Sequence, residues 1–474
     1  MFKLIDIVDL EKLAQVVDGQ LLGRNTTFES LIVDSRKARK NSVFIALHGE
    51  KFDGNIFCSE VLSKGCCAVI TDDPEIPGRT IVVDNTYLAL LKLAQYQLNK
   101  VKPRTLAITG SNGKTTVKEM IGSLIDHQNT VVTKDNENNE FGIAYTVLKI
   151  DKDTENLILE CGARKAGDFD LIVKYLWFDA LVITNLNNSH IGIFGSEEVI
   201  LKTKLKLLEA LKTKGLLIEG AFNNLSKSFS KQDPTKNQIN IYHTKEEREL
   251  SLKYSWLFDV ETNESNLHSY HISITNKDAE SESERLDYLL NLGIRHNCSN
   301  ALISIALMKE WGSSERVIQK LDGFVSPQKN RFYCSKLGDH ILINDTYNAN
   351  PTSMLSAINE LKTNPNYPDS QIIIIGDMYE LGQSSELEHA NILNELMTLE
   401  KLKLLILVGD RFKDCYKANT QAIETSFIIH LDRGVNLPKE VFESNLINSS
   451  VILVKGSRGM KMERYLDYLR ENII

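Results

Sequence analysis

Thr105-Leu-Ala-Ile-Thr-Gly110-Ser-Asn-Gly113-Lys-Thr-Thr-Val117 reads as three pieces. Leu106-Ala-Ile108 is an apolar run that predicts a buried strand. Gly110 to Gly113 predicts a tight turn, and Val117, Met120, Ile121, Leu124 and Ile125 recur at helical spacing from Thr115 onward. A strand, a glycine turn and a helix N-terminus carrying Gly-Lys-Thr make a phosphate cradle. Free backbone N–H groups and the positive end of the helix dipole face an anion there. In that reading Lys114 reaches terminal phosphates and the Thr115 hydroxyl serves Mg²⁺. The common pattern has a further glycine five residues before Gly113, where this chain has Ile108, so the loop is a shortened form. A chance Gly-Lys-Thr in an ordinary turn is the alternative. The strand, turn and helix all standing where the chemistry needs them speak against it.

A chain of 474 residues predicts about three domains. Its 42% hydrophobic and 25% charged residues suit a globular protein, and a net charge of −8 argues against a nucleic-acid partner. Seven cysteines without paired spacing suggest free thiols in a reducing compartment. The start, Met1-Phe-Lys-Leu-Ile-Asp, lacks a signal-peptide core, and no apolar run approaches about 18 residues. A cytoplasmic location without a membrane span is therefore expected.

Outward from the loop, three domains are expected: 1–100, 101–312 and 313–474. The first opens with a helix at Asp9-Leu-Glu-Lys and carries strand-like runs at Leu31, Ser42 and Cys67. Asp34-Ser35-Arg36 follows the Leu31 run and suits either a phosphate or a solvated turn. In the second, strands Asn156–Glu160 and Ala180–Thr184 put Glu160 and, after a polar run, His190 at the carboxyl edge beside the loop. An acid and an imidazole there could ligate a metal, or the histidine could be structural. A helix over 197–211 carries Lys202, Lys204 and Lys206, taken alone a solvated basic face. Residues 225–290 suggest short antiparallel strands, with an exposed acidic turn from Asp278. Asn297 or Asn300 would cap a helix beginning at Ala301. In the third domain, runs at His340, Gln371, Leu404 and Val451 predict a second α/β unit with a mostly parallel sheet, and Pro351 suits a first helical position.

Taken together, the Gly110–Thr116 loop, Asn136 to Asn139, Glu160 to Lys165, His296-Asn297, Asp345 to Pro351, Gly376 to Gly382 and Lys455 to Met460 resemble the Mur ligase family over nearly the whole chain. Tyr347-Asn-Ala-Asn-Pro351 and Gly376-Asp-Met-Tyr-Glu-Leu-Gly382 resemble its dipeptide-adding branch. The resemblance implies an α/β fold with a small N-terminal substrate domain, a central P-loop ATPase-like domain and a C-terminal Rossmann-like domain.

The activity it implies is ATP-dependent ligation of D-alanyl-D-alanine to a UDP-N-acetylmuramoyl tripeptide through an acyl phosphate, for peptidoglycan, by a monomer. ATP would lie on Gly110, Ser111, Asn112, Gly113, Lys114, Thr115 and Thr116, with Asn297 at the adenine and Arg331 and Asp345 arriving from the third domain. Thr115, Glu160, His190 and a carbamoylated Lys204 are the implied metal ligands, with Lys114, His190 and Lys204 catalytic. Ser35, Arg36, Asn138, Asn139, Arg164, Asn348 and Asn350 are the implied substrate contacts. The chain departs from the family pattern at Asp135 and Asn330, where glycine is usual, and at Cys161, Thr203 and Lys206. A folylpolyglutamate synthetase-like ligase shares the loop but lacks about 100 residues before it; a nucleotide switch is the alternative outside ligation.

Overall fold

The computed structural model describes residues 1–49, 52–125, 128–135, 137–186, 191–220, 237–242, 255–262, 269–276, 285–291, 296–322, 324, 326–419, 427–446 and 449–472. Among them the strands gather into three main sheets in chain order, flanked by helices. None of their helices is long and apolar enough to cross a membrane.

The first sheet runs Gln20–Leu22, Thr80–Val82, Ala68–Thr71, Ser42–Ile45, Ser30–Ile32, and only its first pair is antiparallel. Asp9 caps the opening helix, Leu10–Val17, by accepting from the Lys12 N–H at 2.9 Å. The neighbouring strands Gln20–Leu22 and Thr80–Val82 escape the sequence because three residues are too few to show alternation. The helix Thr86–Val101 fastens this unit to the next. Buried Gln97 accepts from the Ile5 N–H at 2.8 Å and donates to the Ile150 carbonyl at 3.0 Å. Phe2 stacks on Tyr145, and Tyr87 lies against Phe141, so the two units share one apolar core.

The central sheet is ordered Arg285–Asn291, Ser269–Asn276, Ser255–Thr262, Asn237–Tyr242, Leu211–Glu219, Phe178–Ile183, Arg104–Thr109, Asn156–Glu160, Thr130–Val132. Every neighbouring pair from Thr130–Val132 to Ser255–Thr262 is parallel; the last two pairs are antiparallel. The expectation of antiparallel strands across 225–290 therefore fails for Asn237–Tyr242, since side-chain alternation carries no strand direction. The acidic turn from Asp278 lies outside the described residues. The helix expected to reach 211 ends at Leu205, passes through a 3₁₀ turn and gives way to the strand Leu211–Glu219. The helix expected from Ala301 begins at His296, so neither Asn297 nor Asn300 caps it. Cys298, Ala301, Leu302 and Ile305 hold its whole length against Val117, Met120 and Ile121 of the loop helix, Lys114–Leu124.

The third sheet runs Tyr333–Leu337, His340–Asp345, Val451–Lys455, Gln371–Gly376, Leu402–Val408, Ile428–Leu431, parallel except for its first pair. All four expected strands are present, and Pro351 opens the helix Pro351–Thr363. Asn350 and Ser353 form its capping box. At the next strand end the Asp377 carboxylate accepts from the backbone N–H groups of Arg411 (3.2 Å) and Phe412 (3.1 Å), at the start of the helix Asp410–Asn419.

Candidate nucleotide and ligation site

The strand Arg104–Thr109 is buried from Thr105 onward and delivers the loop to the carboxyl edge of the central sheet. Gly110 (φ 143°) and Gly113 (φ 82°) take backbone conformations that side chains disfavour. A Cβ on Gly110 would stand 2.0 Å from the Thr184 hydroxyl, and one on Gly113 would stand 2.4 Å from Asn300 Oδ1. The next strand end holds the turn in shape. The Asn185 carbonyl accepts from the Ser111 backbone N–H at 2.8 Å and its side-chain Oδ1 from the Asn112 backbone N–H at 2.9 Å, and Thr184 donates to the Asn112 carbonyl at 2.5 Å. Lys114 turns back to donate to the Gly110 carbonyl at 2.7 Å. Burial, against the pull of Glu160, lowers its pKa from the ordinary lysine value. The Asn112 Nδ2 donor is buried without a protein partner, as suits a loop built to meet an anion.

Beneath the loop, Glu160 ends the strand Asn156–Glu160 and is 2% exposed. Its Oε1 accepts from Thr115 at 3.1 Å and from Asn138 at 2.8 Å, while Oε2 pairs with Lys118 at 3.0 Å. Burial alone would raise this carboxyl; Lys118 and Lys114 outweigh it and keep the pKa low. Removing one partner from such a pair typically costs roughly 3–5 kcal/mol. Lys204 is only 3% exposed and donates to Ser111 Oγ at 2.8 Å. The solvated-face reading fails for it: Lys202 is exposed, and Lys204 is buried in the last turn of the helix Glu197–Leu205, which Ser196 caps. Burial and then the nearby Lys114 hold its amine well below the usual lysine range. His190 lies outside the described residues, as does Asn136.

The third unit reaches the same loop. Arg331 donates to Thr115 Oγ1 at 3.1 Å, is braced by Gln328 at 2.9 Å and stacks on the Tyr347 ring, 3.7 Å from its centroid. Asn350 donates to Asn112 Oδ1 at 2.8 Å. Ser326 donates to Glu119 on the loop helix at 2.5 Å, and the Gly192 N–H donates to the Glu380 carbonyl at 3.0 Å. A Cβ on Gly382 would stand 2.7 Å from Gly192 Cα. Asp345 does not reach the loop. It accepts from Lys455 at 2.6 Å and from the Phe332 N–H at 3.1 Å. Asn348 accepts from the Arg458 N–H at 3.3 Å. Asn297 lies inside its helix and accepts from Asn300 at 3.2 Å. Asn139 caps the helix Glu140–Val147, and Arg164 is exposed.

A cavity of about 580 Å³ opens between the first and second units. Asp34, Ser35, Arg36, Lys37 and Lys149 line it together with Phe52, Phe57 and Tyr145. Asp34 grips the exposed Arg36 through two contacts of 2.9 Å, and that bond holds its pKa at about 2. Sequence reasoning missed Lys118, Lys149, Thr184 and Asn185. Lys118 sits one turn after Lys114 on the loop helix, and that spacing was the available signal.

Residues 108–308 match the Mur ligase middle domain, and residues 330–458 match the Mur ligase glutamate ligase domain. A curated relative from Bacillus subtilis (strain 168), UDP-N-acetylmuramoyl-tripeptide--D-alanyl-D-alanine ligase, is 31% identical over 474 residues, 98% of each chain. This chain belongs to the Mur ligase family. Among solved structures, MurF from Acinetobacter baumannii superposes with a TM-score of 0.83 at 25% identity, covering 97% of this chain and 98% of that one. MurF ligase from Thermotoga maritima in complex with ADP gives 0.78 at 22% identity, covering 94% and 97%. The departures of this Mur ligase now have physical settings. Asp135 adopts φ 45°, a conformation that glycine takes freely and aspartate tolerates. Thr203 hydrogen-bonds back to the Val199 carbonyl at 2.7 Å, and Lys206 pairs with Glu209 at 2.8 Å. Neither change reaches the loop.

Proposed function

We propose that this Mur ligase joins D-alanyl-D-alanine to UDP-N-acetylmuramoyl tripeptide at the expense of ATP, in peptidoglycan precursor synthesis. The observation that carries the reading is the convergence of two units on one loop. Arg331 and Asn350 from the third unit meet Thr115 and Asn112 from the second. A ligase that couples phosphoryl transfer to amide formation needs such an enclosed meeting point, where reactants are held and water is excluded.

The proposed sequence runs in two steps. A carboxylate oxygen of the tripeptide attacks the ATP γ-phosphorus and ADP leaves, forming an acyl phosphate. The amine of D-alanyl-D-alanine then attacks that carbonyl and phosphate leaves, the amine's extra proton being lost. Lys114 and Arg331 balance the phosphate charge, and the amides of Gly110–Thr116 orient it. Thr115, Glu160 and His190 are the proposed holders of Mg²⁺. The Thr115 hydroxyl and the ionised Glu160 supply the hard oxygen donors that this cation prefers. Bound there, it would neutralise phosphate charge. Lys204 is the proposed carbamoylation site, since a buried amine kept neutral can take up CO₂ with loss of a proton. Asn297 and Asp345 are kept as proposed nucleotide contacts; Asp345 would first exchange Lys455 for the nucleotide. The cavity lined by Ser35, Arg36, Lys37 and Lys149 suits a nucleoside diphosphate, with aromatic walls for the base and cations for the phosphates. Asn138, Asn139, Arg164, Asn348 and Asn350 remain proposed substrate contacts. Residues 1–100, 101–312 and 313–474 are the proposed substrate, nucleotide and ligase domains. A monomer suffices because one chain supplies all three, and its nucleotide substrates suit the cytoplasm.

Purified protein given ATP, Mg²⁺, the UDP-linked tripeptide and D-alanyl-D-alanine should release ADP and a UDP-linked pentapeptide by mass spectrometry. ADP formed equally well without the dipeptide, with no pentapeptide, would overturn the reading.

A further inference from the structure

Lys118 is a buried cation with no part in the scheme above. It stands one helical turn after Lys114, but where Lys114 bends back over the loop, Lys118 points to the strand end beneath it. Its ammonium is 3.0 Å from Glu160 Oε2, with the two side chains 5% and 2% exposed. The other carboxylate oxygen, Oε1, is shared by the Thr115 hydroxyl and the Asn138 amide. Both oxygens of the carboxylate therefore meet the loop helix, Oε1 through Thr115 and Oε2 through Lys118, and Asn138, from the loop before the helix Glu140–Val147, joins Thr115 at Oε1.

We propose that Lys118 is a positioning residue of the nucleotide site: it fixes Glu160 through Oε2, so that Oε1 faces a divalent cation beside the Thr115 hydroxyl. This rests on the proposed metal role of Thr115 and Glu160. An ammonium has donors and no lone pair, so Lys118 cannot itself ligate a metal. What it can do is stop the carboxylate from turning. Held at Oε1 by Thr115 and Asn138 alone, the carboxylate can turn about that oxygen and swing Oε2 toward the loop; the Lys118 charge, 3.0 Å from Oε2, opposes that turn. A buried ion pair is seldom more stabilising than an apolar pair of the same size, so stability alone is a weak reason to bury a lysine here. Partners behind a metal ligand act by orienting it.

The test is calorimetric titration with ADP, once with Mn²⁺ and once with EDTA. It compares the native protein, Lys118→Met, Glu160→Gln and the double variant. The readout is the metal-dependent gain in ADP affinity, which needs no turnover. Lys118→Met should lose about tenfold or more of that gain while binding metal-free ADP as the native protein does. In the Glu160→Gln background the same change should do nothing further. Lys118→Met that melts earlier but keeps the full gain would show that the lysine only neutralises a buried charge, and would overturn the proposal. A larger gain would overturn it too, by showing that the ammonium repels the metal. Native protein without any gain removes the metal reading and this proposal with it. Should the methionine variant fail to fold, Lys118→Gln carries the test. It keeps a donor for Oε2 without the charge, so part of the gain should survive, and a complete loss would overturn orientation as the cause.

Discussion

Lys114 and Lys204 both donate to Ser111 of the loop and are held down by the same cause, burial, yet their proposed roles answer different chemical needs. Lys114 is the proposed source of charge for the phosphate. Lys114→Ala should leave the melting temperature nearly unchanged and lower kcat on the order of 10²-fold or more, as loss of one such contact does; near-normal turnover by the folded variant would sink the phosphate assignment. Lys204, the proposed carbamate site, would instead act only without its positive charge. Lys204→Ala should be nearly inactive, and a short-chain carboxylate in the buffer should restore part of the rate by filling the vacated space. Lys202→Ala, on the exposed side of the same helix, should be active and indifferent to the acid. Full activity in Lys204→Ala would rule the carbamate out.

Among the elements, the turn Gly376–Gly382 is pinned by a histidine on the helix Ser385–Leu396. His389 is fully buried, accepts from the Met378 N–H at Nε2 (2.9 Å), and bonds the Ser385 carbonyl through Nδ1 at 2.6 Å. Its Nε2 must stay unprotonated to accept, and burial lowers its pKa below 6.5, against the Ser385 carbonyl and Asp377, which favour the charged ring. The stability it lends is complete above the unfolded value of about 6.5 and is lost as pH falls below it. The native melting temperature should therefore drop from about pH 7.5 to about pH 5.5 more steeply than that of His389→Gln, and equal slopes would refute the link. No pattern marks this histidine in the sequence, because its partners are backbone groups of another element. The elements themselves were easier to read. Long apolar runs such as Gln371–Gly376, and the loop with its helix, announce themselves through periodicity. The short strands Gln20–Leu22 and Thr80–Val82 do not, and Leu211–Glu219 is masked by its exposed lysines. The candidate site divides likewise. Glycine and lysine spacing reveals the loop and, one turn on, offers Lys118, whereas Asn185 and the stacking face of Tyr347 matter only through neighbours that folding supplies.

At the scale of the whole molecule, the second and third units are closed on each other, with Gly192 and Gly382 in backbone contact at one end and Arg331 on Thr115 at the other. Gly382, at φ 56°, has neither the room nor the conformation for a side chain. Gly382→Val should hold the units apart, enlarge the radius of gyration in small-angle scattering and depress ligation while sparing binding of the UDP-linked substrate in the cavity proposed for it between the first and second units; unchanged dimensions would refute the contact's role in closure. The third unit also has a sheet edge and a helix start at Asp410 of the sort that elsewhere hold phosphates. That berth is taken by the protein's own Asp377, whose two oxygens occupy the helix amides. The chain thus carries a counterfeit phosphate. Of two sheets with the architecture of a nucleotide receptor, one is sealed from within, and the stoichiometry follows: calorimetry should count one ADP per chain, the third unit reaching its neighbour's loop through Arg331 and Asn350 instead of offering a berth of its own.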